Sequence, residues 1–384
     1  MKEKICVVLT GGTICSVADI NGKNQSNAKK TSTRLTEYYL KESGSPFRKK
    51  VKFDLKPINL DVLSENMTAS VWSDILKIFK NQINYDEYKG IIVLHGTDTL
   101  AYTSAFLSLA LAGIKIPVCM VSAQLKLGEE DKNGKWIPCS KTNGYANFRA
   151  SVELIMNGIE PNVYVVYRNE KNEGNGEHEE GEFLVHYGAH LLQCANSSNN
   201  FHSRDEMEIL DTFKAKLKGK SFESADCLYR QVKNVKGEVL LIKPYTNLDY
   251  SAINLKGVKL IVHGTYHAES VCIGRPMKKF GSKLERNDYI LEEITKQDRP
   301  YSILYLLKKC KERDIPVFLA PCDEKNAKYQ TTANACKRGA VPVGSSSVTI
   351  EAIYAKAVLG CALEKNQEEL KKFLIDKNVN GEFN

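Results

Sequence analysis

The sequence has no run of about 20 apolar residues, the length that a membrane-spanning helix needs. It has no Cys-X-X-Cys pair and no cysteine and histidine cluster with zinc-site spacing. Although the net charge is +8, the basic residues form only short clusters without an interleaved aromatic array. We interpret these clusters as solvated surface; the alternative is a face for RNA or another anionic partner. We therefore expect no membrane contact, no metal, no cofactor and no nucleic-acid partner.

The 11 cysteines are an odd number without regular spacing. So many free thiols are typical of a reducing compartment rather than of a disulfide scaffold. The apolar run at residues 5–9 is too short for a signal peptide. We therefore predict a cytoplasmic protein.

The chain has 384 residues, of which 42% are hydrophobic and 26% charged, as in soluble proteins with two domains of ordinary size. A charged, irregular stretch predicts a linker at 216–236. It would join an N-terminal α/β domain, 1–215, to a smaller α/β domain, 237–384. We expect the tail after residue 364 to be helical and then frayed.

Short apolar runs that end in glycine or hydroxyl residues recur along the N-terminal part. They are typical of parallel strands buried on both faces. Apolar residues at helical spacing predict helices between them, at 69–81, 100–112 and 145–156. A second pattern predicts strands at 239–242, 258–262 and 317–320 and helices at 301–313 and 348–358. The fold class is therefore α/β with a parallel sheet, in which ligands bind outside the carboxyl ends of the strands.

Three polar motifs follow these predicted strands. The first is Thr10-Gly11-Gly12-Thr13-Ile14, where two glycines permit a sharp turn and a close approach of substrate to the backbone. The second is His95-Gly96-Thr97-Asp98-Thr99, whose Asp98 could bind a substrate amino group or merely cap the next helix. The third is Ser64-Glu65-Asn66-Met67, either a polar clamp or plain helix entry.

These motifs, in this order and spacing, resemble those of the asparaginase/glutaminase-like amidohydrolases. The resemblance implies that Thr13 is the nucleophile and that Thr97 and Asp98 complete the catalytic machinery. It also implies an asparaginase-like fold, a small amide substrate and a homodimer or homotetramer. The implied substrate-binding residues are Gly12, Ser64, Glu65, Gly96, Gln124, Gln193, His267 and Glu269.

The sequence departs from the family pattern where a lysine is expected to assist Thr97. By spacing from Gly188, Gln193 occupies that place, and glutamine cannot accept a proton at neutral pH. The alternatives are a different alignment, another base (His190, His202 or Lys126) or disabled chemistry.

Two further departures concern the lid and the substrate. The family places a tyrosine on a mobile N-terminal loop, but Tyr38 and Tyr39 are the nearest to Thr13. The polar stretch 19–33 is our candidate lid loop. Glu65 stands where hydrolases acting on a free amino acid often have a neutral amide.

In the second domain, His263-Gly264-Thr265-Tyr266-His267-Ala268-Glu269 follows a predicted strand. In the family, the matching loop can reach a neighbouring subunit's active site, so His267 and Glu269 are candidates. The alternative is a surface loop whose polar side chains only face solvent. His263 and His267 are four residues apart, but no third metal ligand is evident.

Three hypotheses follow. The first is hydrolysis of the side-chain amide of L-asparagine, glutamine or a derivative to the acid and ammonia through a threonine acyl-enzyme. The second is an ammonia-supplying subunit of a tRNA-dependent amidotransferase. The third is an amino-acid-binding or sensing homologue with impaired catalysis.

Overall fold

The structure is a computed structural model that describes residues 2–18, 24–171, 180–204, 208–209, 227–277, 289–323, 329–344 and 348–383. The chain forms two compact units: Met1–Val235 with Val379–Gly381, and Lys236–Asn378 with Glu382–Asn384. Most of the predicted linker 216–236 lies outside the described residues, and its part at 227–235 belongs to the first unit. The domain limits 1–215 and 237–384 stay a prediction.

The first unit contains eleven described strands and four described α-helices. The strands are β1 (Glu3–Gly11), β2 (Ser16–Ala18), β3 (Asn24–Ser26), β4 (Val51–Val62), β5 (Gly90–Leu94), β6 (Val118–Val121), β7 (Gly128–Glu130), β8 (Trp136–Pro138), β9 (Val163–Glu170), β10 (Glu180–Tyr187) and β11 (Glu208–Ile209). The helices are α1 (Ala28–Glu42), α2 (Ala69–Asn81), α3 (Leu100–Ala110) and α4 (Gly144–Met156).

Seven strands form the main sheet of the first unit, in the order β11-β10-β9-β6-β5-β1-β4. The pairs from β4 to β9 are parallel, whereas β10 runs antiparallel to β9 and to β11. The strands β5 and β6 are buried along their whole length, as their apolar runs predicted. Because β1, β5 and β6 are parallel, the residues that follow them emerge at one edge of the sheet.

The predicted helices of the first unit are present. Helix α2 has the predicted bounds, because Trp72, Ile75 and Phe79 lie on its buried face. Helix α3 ends two residues earlier than predicted, and α4 begins one residue earlier. Their observed positions between parallel strands confirm the α/β class.

The second unit is built on a parallel sheet of four strands in the order β12-β13-β14-β15. These are β12 (Val239–Ile242), β13 (Leu260–Gly264), β14 (Val317–Ala320) and β15 (Ala340–Pro342), with helices α5 (Ile303–Lys311), α6 (Gln330–Lys337), α7 (Ile350–Ala362) and α8 (Gln367–Ile375). Apolar side chains of β13, β14 and α5 form its core. None of the helices described in either unit is long and apolar enough to cross a bilayer.

The predicted lid loop at 19–33 is wrong over residues 24–33, where β3 and the start of α1 lie. Asn27 caps α1 by accepting a hydrogen bond from the Lys30 amide over 3.2 Å. Thr31 and Thr33 donate back to the carbonyls of the preceding helical turn, so their hydroxyls are satisfied within the helix. Residues 19–23 lie outside the described part of the chain.

The prediction of a frayed tail is also wrong. After α8, Glu382 is fully buried and pairs with the fully buried Lys356 of α7 over 2.7 Å. In the first unit, Asn380 donates to Ser108 and Asn162 over 2.9 Å. Removing one partner of such a buried pair leaves an uncompensated charge, so these contacts hold the tail in place.

Candidate active site

Thr13 lies directly after β1, on a turn that its two preceding glycines permit. Gly11 and Gly12 have φ angles of 114° and 82°, which favour glycine. A Cβ at Gly11 would collide with the carbonyl oxygen of Val62, which accepts a hydrogen bond from the Gly12 amide over 2.9 Å. The chain then enters a short 3-10 helix, Thr13–Cys15, and leaves Thr13 half-buried at the carboxyl edge of the sheet.

The three motifs meet at two glycines. A Cβ at Gly12 would overlap the backbone of Gly96, and a Cβ at Gly96 would overlap the Ser64 side chain and lie 2.9 Å from the Gly12 Cα. The turn carrying Thr13, the turn carrying Ser64 and the turn carrying Thr97 are therefore in van der Waals contact. Such close contact is possible only because both positions lack a side chain.

Asp98 is bound to Ser64 from two directions. The Ser64 hydroxyl donates to Asp98 Oδ2 over 2.7 Å and accepts from the Asp98 amide over 3.2 Å. Thr99 adds a third link by donating to the Ser64 carbonyl over 2.9 Å. No side chain caps α3, so the alternative of a helix-capping Asp98 is wrong. The carboxylate is exposed, while Ser64 is buried beneath it.

Gln193 is tied to the backbone next to this turn. Its Nε2 donates to the Thr97 carbonyl over 3.1 Å, and its Oε1 accepts from the Ala101 amide over 3.4 Å. The hydroxyls of Thr97 and Thr13 form no hydrogen bond with any residue that the structure describes. Gln193 therefore brings an uncharged amide, bonded to backbone at both its oxygen and its nitrogen, next to the turn that carries Thr97 and Asp98.

The other candidate bases have partners elsewhere or are exposed. Lys126 pairs with Glu129 over 2.8 Å, and His190 Nε2 donates to the Gly381 carbonyl over 2.8 Å. His202 is exposed. Within the described residues, no hydrogen bond or ion pair joins these three side chains to the strand-end motifs.

Gln124 and Glu65 have different surroundings from Ser64. Gln124 follows β6. Its side-chain Nε2 donates to Glu170 Oε1 over 2.8 Å, and its backbone N–H donates to Asn143 Oδ1 over 3.1 Å. These residues line a small polar cavity of about 90 Å³. Glu65 is exposed on the short turn Ser64–Asn66.

The two tyrosines nearest to Thr13 in the sequence belong to the body of α1. Tyr39 is 2% exposed and donates to the Ser45 hydroxyl over 2.9 Å. The ring of Tyr38 lies 4.1 Å from that of Tyr145. Both rings are packed against neighbouring side chains, so neither is a loop tyrosine.

His267 and Glu269 belong to the second unit, on the loop after β13. His267 is exposed. Glu269 has a φ of 56°, accepts the Asp323 amide over 3.2 Å and accepts the Thr332 hydroxyl at its carbonyl over 2.7 Å. The preceding His263 has both ring nitrogens in hydrogen bonds within the protein. The described residues contain no group of three that could hold a metal ion.

His95 begins the second motif, but no role was predicted for it from the sequence. It follows β5, is fully buried and has its Nδ1 2.7 Å from the Gly96 carbonyl oxygen. Burial lowers its pKa to about 4, so the ring is neutral at physiological pH. The signal was available, since the same His-Gly-Thr triplet recurs at His263-Gly264-Thr265.

Comparison with known sequences places this site in a family. A sequence model described as "Asparaginase, N-terminal" matches residues 4–216, more than half of the chain. The chain belongs to the asparaginase family. The predicted resemblance is thereby confirmed, and the strand-end motifs lie within the matched segment of this asparaginase-family protein.

Curated relatives match shorter segments. L-asparaginase of Dirofilaria immitis is 32% identical over 112 residues, 29% of this chain and 17% of the relative. L-asparaginase 1 of Escherichia coli (strain K12) is 39% identical over 72 residues, 19% and 21% of the two chains. A glutamyl-tRNA(Gln) amidotransferase subunit from Thermoplasma acidophilum is 34% identical over 122 residues, 32% and 27%. The chain thus spans less than a third of each relative's length.

Two solved structures share the fold over the whole chain. The thermostable L-asparaginase from Thermococcus kodakarensis has a TM-score of 0.66 and 21% identity, covering 99% of both chains. L-asparaginase I from Vibrio cholerae has a TM-score of 0.64 and 18% identity, covering 100% of both. At these identities the likeness concerns the fold, and it confirms the predicted asparaginase-like architecture.

Proposed function

We propose that this protein hydrolyses the side-chain amide of L-asparagine, or of glutamine or a derivative, to the acid and ammonia. The observation that carries the proposal is the contact of Gly12, Ser64 and Gly96, which brings Thr13 and the Thr97-Asp98 turn to one edge of the sheet. Acyl transfer needs a nucleophile, a charged group and a backbone that a substrate can approach closely. The Thr13 hydroxyl, which forms no hydrogen bond with the described residues, the exposed Asp98 carboxylate and the backbone of Gly12 and Gly96 match these parts.

The chemistry proceeds through an ester on Thr13. The Thr13 oxygen bonds to the amide carbon, the carbon–nitrogen bond breaks, and the hydroxyl proton leaves with the nitrogen as ammonia. Water then attacks the ester, which yields the acid and restores the hydroxyl. The proton carriers we propose are the Thr97 hydroxyl and the Asp98 carboxylate, because Gln193 cannot accept a proton.

We assign the remaining residues to substrate binding. Backbone N–H groups next to Gly12 and Gly96 would stabilise the oxyanion of the tetrahedral intermediate. Ser64 would orient Asp98 toward a substrate amino group. Glu65 is exposed and free to meet a cationic group, and Gln124 and Gln193 shape the edge of the site. His267 and Glu269 would complete it from a neighbouring subunit in a homodimer or homotetramer.

The test is ammonia release from a panel of amides by wild type and Thr13→Ala. We expect the substitution to lower kcat by about 10³-fold or more, since loss of one member of a cooperating set removes most of its effect. Thr33→Ala is a matched control, because Thr33 is an exposed-face residue of α1. A folded wild type that releases no ammonia from any amide would overturn the proposal.

A second candidate function is amino-acid binding without turnover. Gln193 favours this function, because its Nε2 and Oε1 are both bonded to backbone groups, at Thr97 and Ala101. In addition, no group among the described residues supplies the charge of the expected lysine. Calorimetry with asparagine, aspartate and glutamine decides between the two. Binding without ammonia release supports a sensing protein, and turnover excludes it.

The similarity to the glutamyl-tRNA(Gln) amidotransferase chain favours a third candidate, an ammonia-supplying subunit. Its test is glutamine hydrolysis with and without added tRNA. Hydrolysis by the purified protein alone argues for a free-standing enzyme.

We infer that the protein works in the cytoplasm. None of the eleven cysteines is in a disulfide, and they are spread over both units, some buried and some partly exposed. Free thiols in this number persist in a reducing compartment.

A further inference from the structure

The carboxyl ends of β5 and β13 carry the same ring-to-backbone contact. In the first unit, His95 Nδ1 lies 2.7 Å from the carbonyl oxygen of Gly96. In the second unit, His263 Nδ1 lies 2.6 Å from the carbonyl oxygen of Gly264. Both rings are fully buried. In each unit, the ring of the histidine therefore holds the carbonyl of the glycine that follows it in the sequence.

This contact fixes the tautomer of each ring. A carbonyl oxygen only accepts hydrogen bonds, so Nδ1 must carry the proton in both histidines. Burial lowers both pKa values to about 4, so each ring is neutral and its Nε2 is an acceptor. In His263 this acceptor receives the Tyr250 hydroxyl over 2.9 Å. In His95, Nε2 has no partner among the described residues.

We propose that His95 is a positioning residue of the candidate site, which holds the Gly96 carbonyl and thereby orients the Gly96–Thr97 peptide. The inference rests on the proposed function. It goes beyond it because His95 touches no reacting atom and is assigned no proton transfer.

The surroundings of Gly96 explain why a hydrogen bond to its carbonyl is needed to fix the orientation of the Gly96–Thr97 peptide. Gly96 has no side chain to restrict its backbone, and it is packed between Ser64 and Gly12. The next peptide carries Thr97, whose carbonyl is held by Gln193. The His95 ring and the Gln193 amide thus fix successive carbonyls of the turn that presents Thr97 and Asp98.

The first experiment reads the tautomer directly, in full-length wild-type protein labelled with ¹⁵N-histidine. Long-range ¹H–¹⁵N spectra, with signals assigned from His95→Asn and His263→Asn, should show both rings as the neutral Nδ1–H form from pH 5.5 to 8. An Nε2–H form or a titrating His95 signal would overturn the inference. This readout does not depend on any activity, so it stands apart from a failure of the proposed function.

The second experiment separates positioning from acid–base chemistry. The Asn amide nitrogen can take the place of Nδ1, and Nε2 makes no described bond, so His95→Asn keeps the contact that matters. We expect His95→Leu to lower kcat by about 10²-fold, as misplacement of a catalytic turn does, and His95→Asn to recover most of it with an unchanged pH profile. An equal loss of kcat in both variants, with both folded, would contradict the positioning role. So would the disappearance of one limb of the pH dependence of kcat in His95→Asn.

Discussion

The strand ends at His95-Gly96-Thr97 and His263-Gly264-Thr265 share a sequence and a ring-to-carbonyl contact, but their threonines differ. The Thr265 hydroxyl donates to the Pro321 carbonyl over 2.9 Å. The Thr97 hydroxyl has no such bond among the described residues and is followed by Asp98. The ring-to-carbonyl contact is therefore common to both units, whereas the threonine hydroxyl is bonded to backbone in the second unit and forms no hydrogen bond with the described residues in the first.

The threonines provide the largest expected contrast. We expect Thr97→Ala to lower kcat by about 10²–10⁴-fold, the range that a positioned proton-transfer group contributes. Thr265→Ala should keep its ammonia release and lose about 1 kcal/mol of stability with its hydrogen bond. Steady-state kinetics and chemical denaturation of both variants measure this. Equal losses of kcat would remove the distinction between the two strand ends.

The glycines provide a smaller contrast. A Cβ at Gly96 would overlap the Ser64 hydroxyl and meet the Gly12 Cα at 2.9 Å, whereas a Cβ at Gly264 meets the end of the Ile350 side chain at 2.9 Å and the Pro244 ring at 3.1 Å. Since the contacts at Gly264 are looser and the Ile350 side-chain end can move, Gly264→Ala should be tolerated better than Gly96→Ala. Gly96→Ala should displace the turn and lower kcat/KM by about 10²-fold at most. Both variants need a thermal unfolding control. Retained activity in Gly96→Ala would show that the close contact is not required.

The smallest contrast concerns acid stability. Burial lowers the pKa of both His95 and His263 to about 4, from 6.5 in a free histidine. Between pH 6.5 and 4 the unfolded chain binds protons that the folded chain does not, so stability falls as pH falls through this window. His95→Asn and His263→Asn should each reduce that slope, by at most about 1.4 kcal/mol per pH unit. Denaturation midpoints from pH 4.5 to 7 test it, and an unchanged slope in either variant would contradict the buried neutral ring.

Local patterns were sufficient for much of the fold. The apolar spacing in α2 gave its bounds, and the apolar runs before Thr10, His95 and Ser122 marked three parallel strands of one sheet. The strand β4 escaped prediction because lysines and a proline interrupt its apolar residues. Helix α1 escaped prediction because the Thr and Ser hydroxyls in its first turns bond within the helix rather than marking a loop.

For the site, the sequence predicted which motifs emerge at the sheet edge but not how their atoms pair. The hydrogen bond from Ser64 to Asp98 joins residues 34 positions apart in the sequence. The hydrogen bond from Gln193 to the Thr97 carbonyl joins residues 96 positions apart. The burial of His95 likewise follows from neighbouring strands. Contacts of this range are set by tertiary packing, and no local spacing rule contains them.

We propose above that Thr13 forms the acyl bond with the substrate. The most direct measurement is acid-quenched mass spectrometry of the protein mixed with asparagine, followed by peptide mapping. We expect an aspartyl ester on the peptide that contains Thr13, and none on the same peptide of Thr13→Ala. Turnover with no modified peptide, or with the ester on another residue, would contradict it.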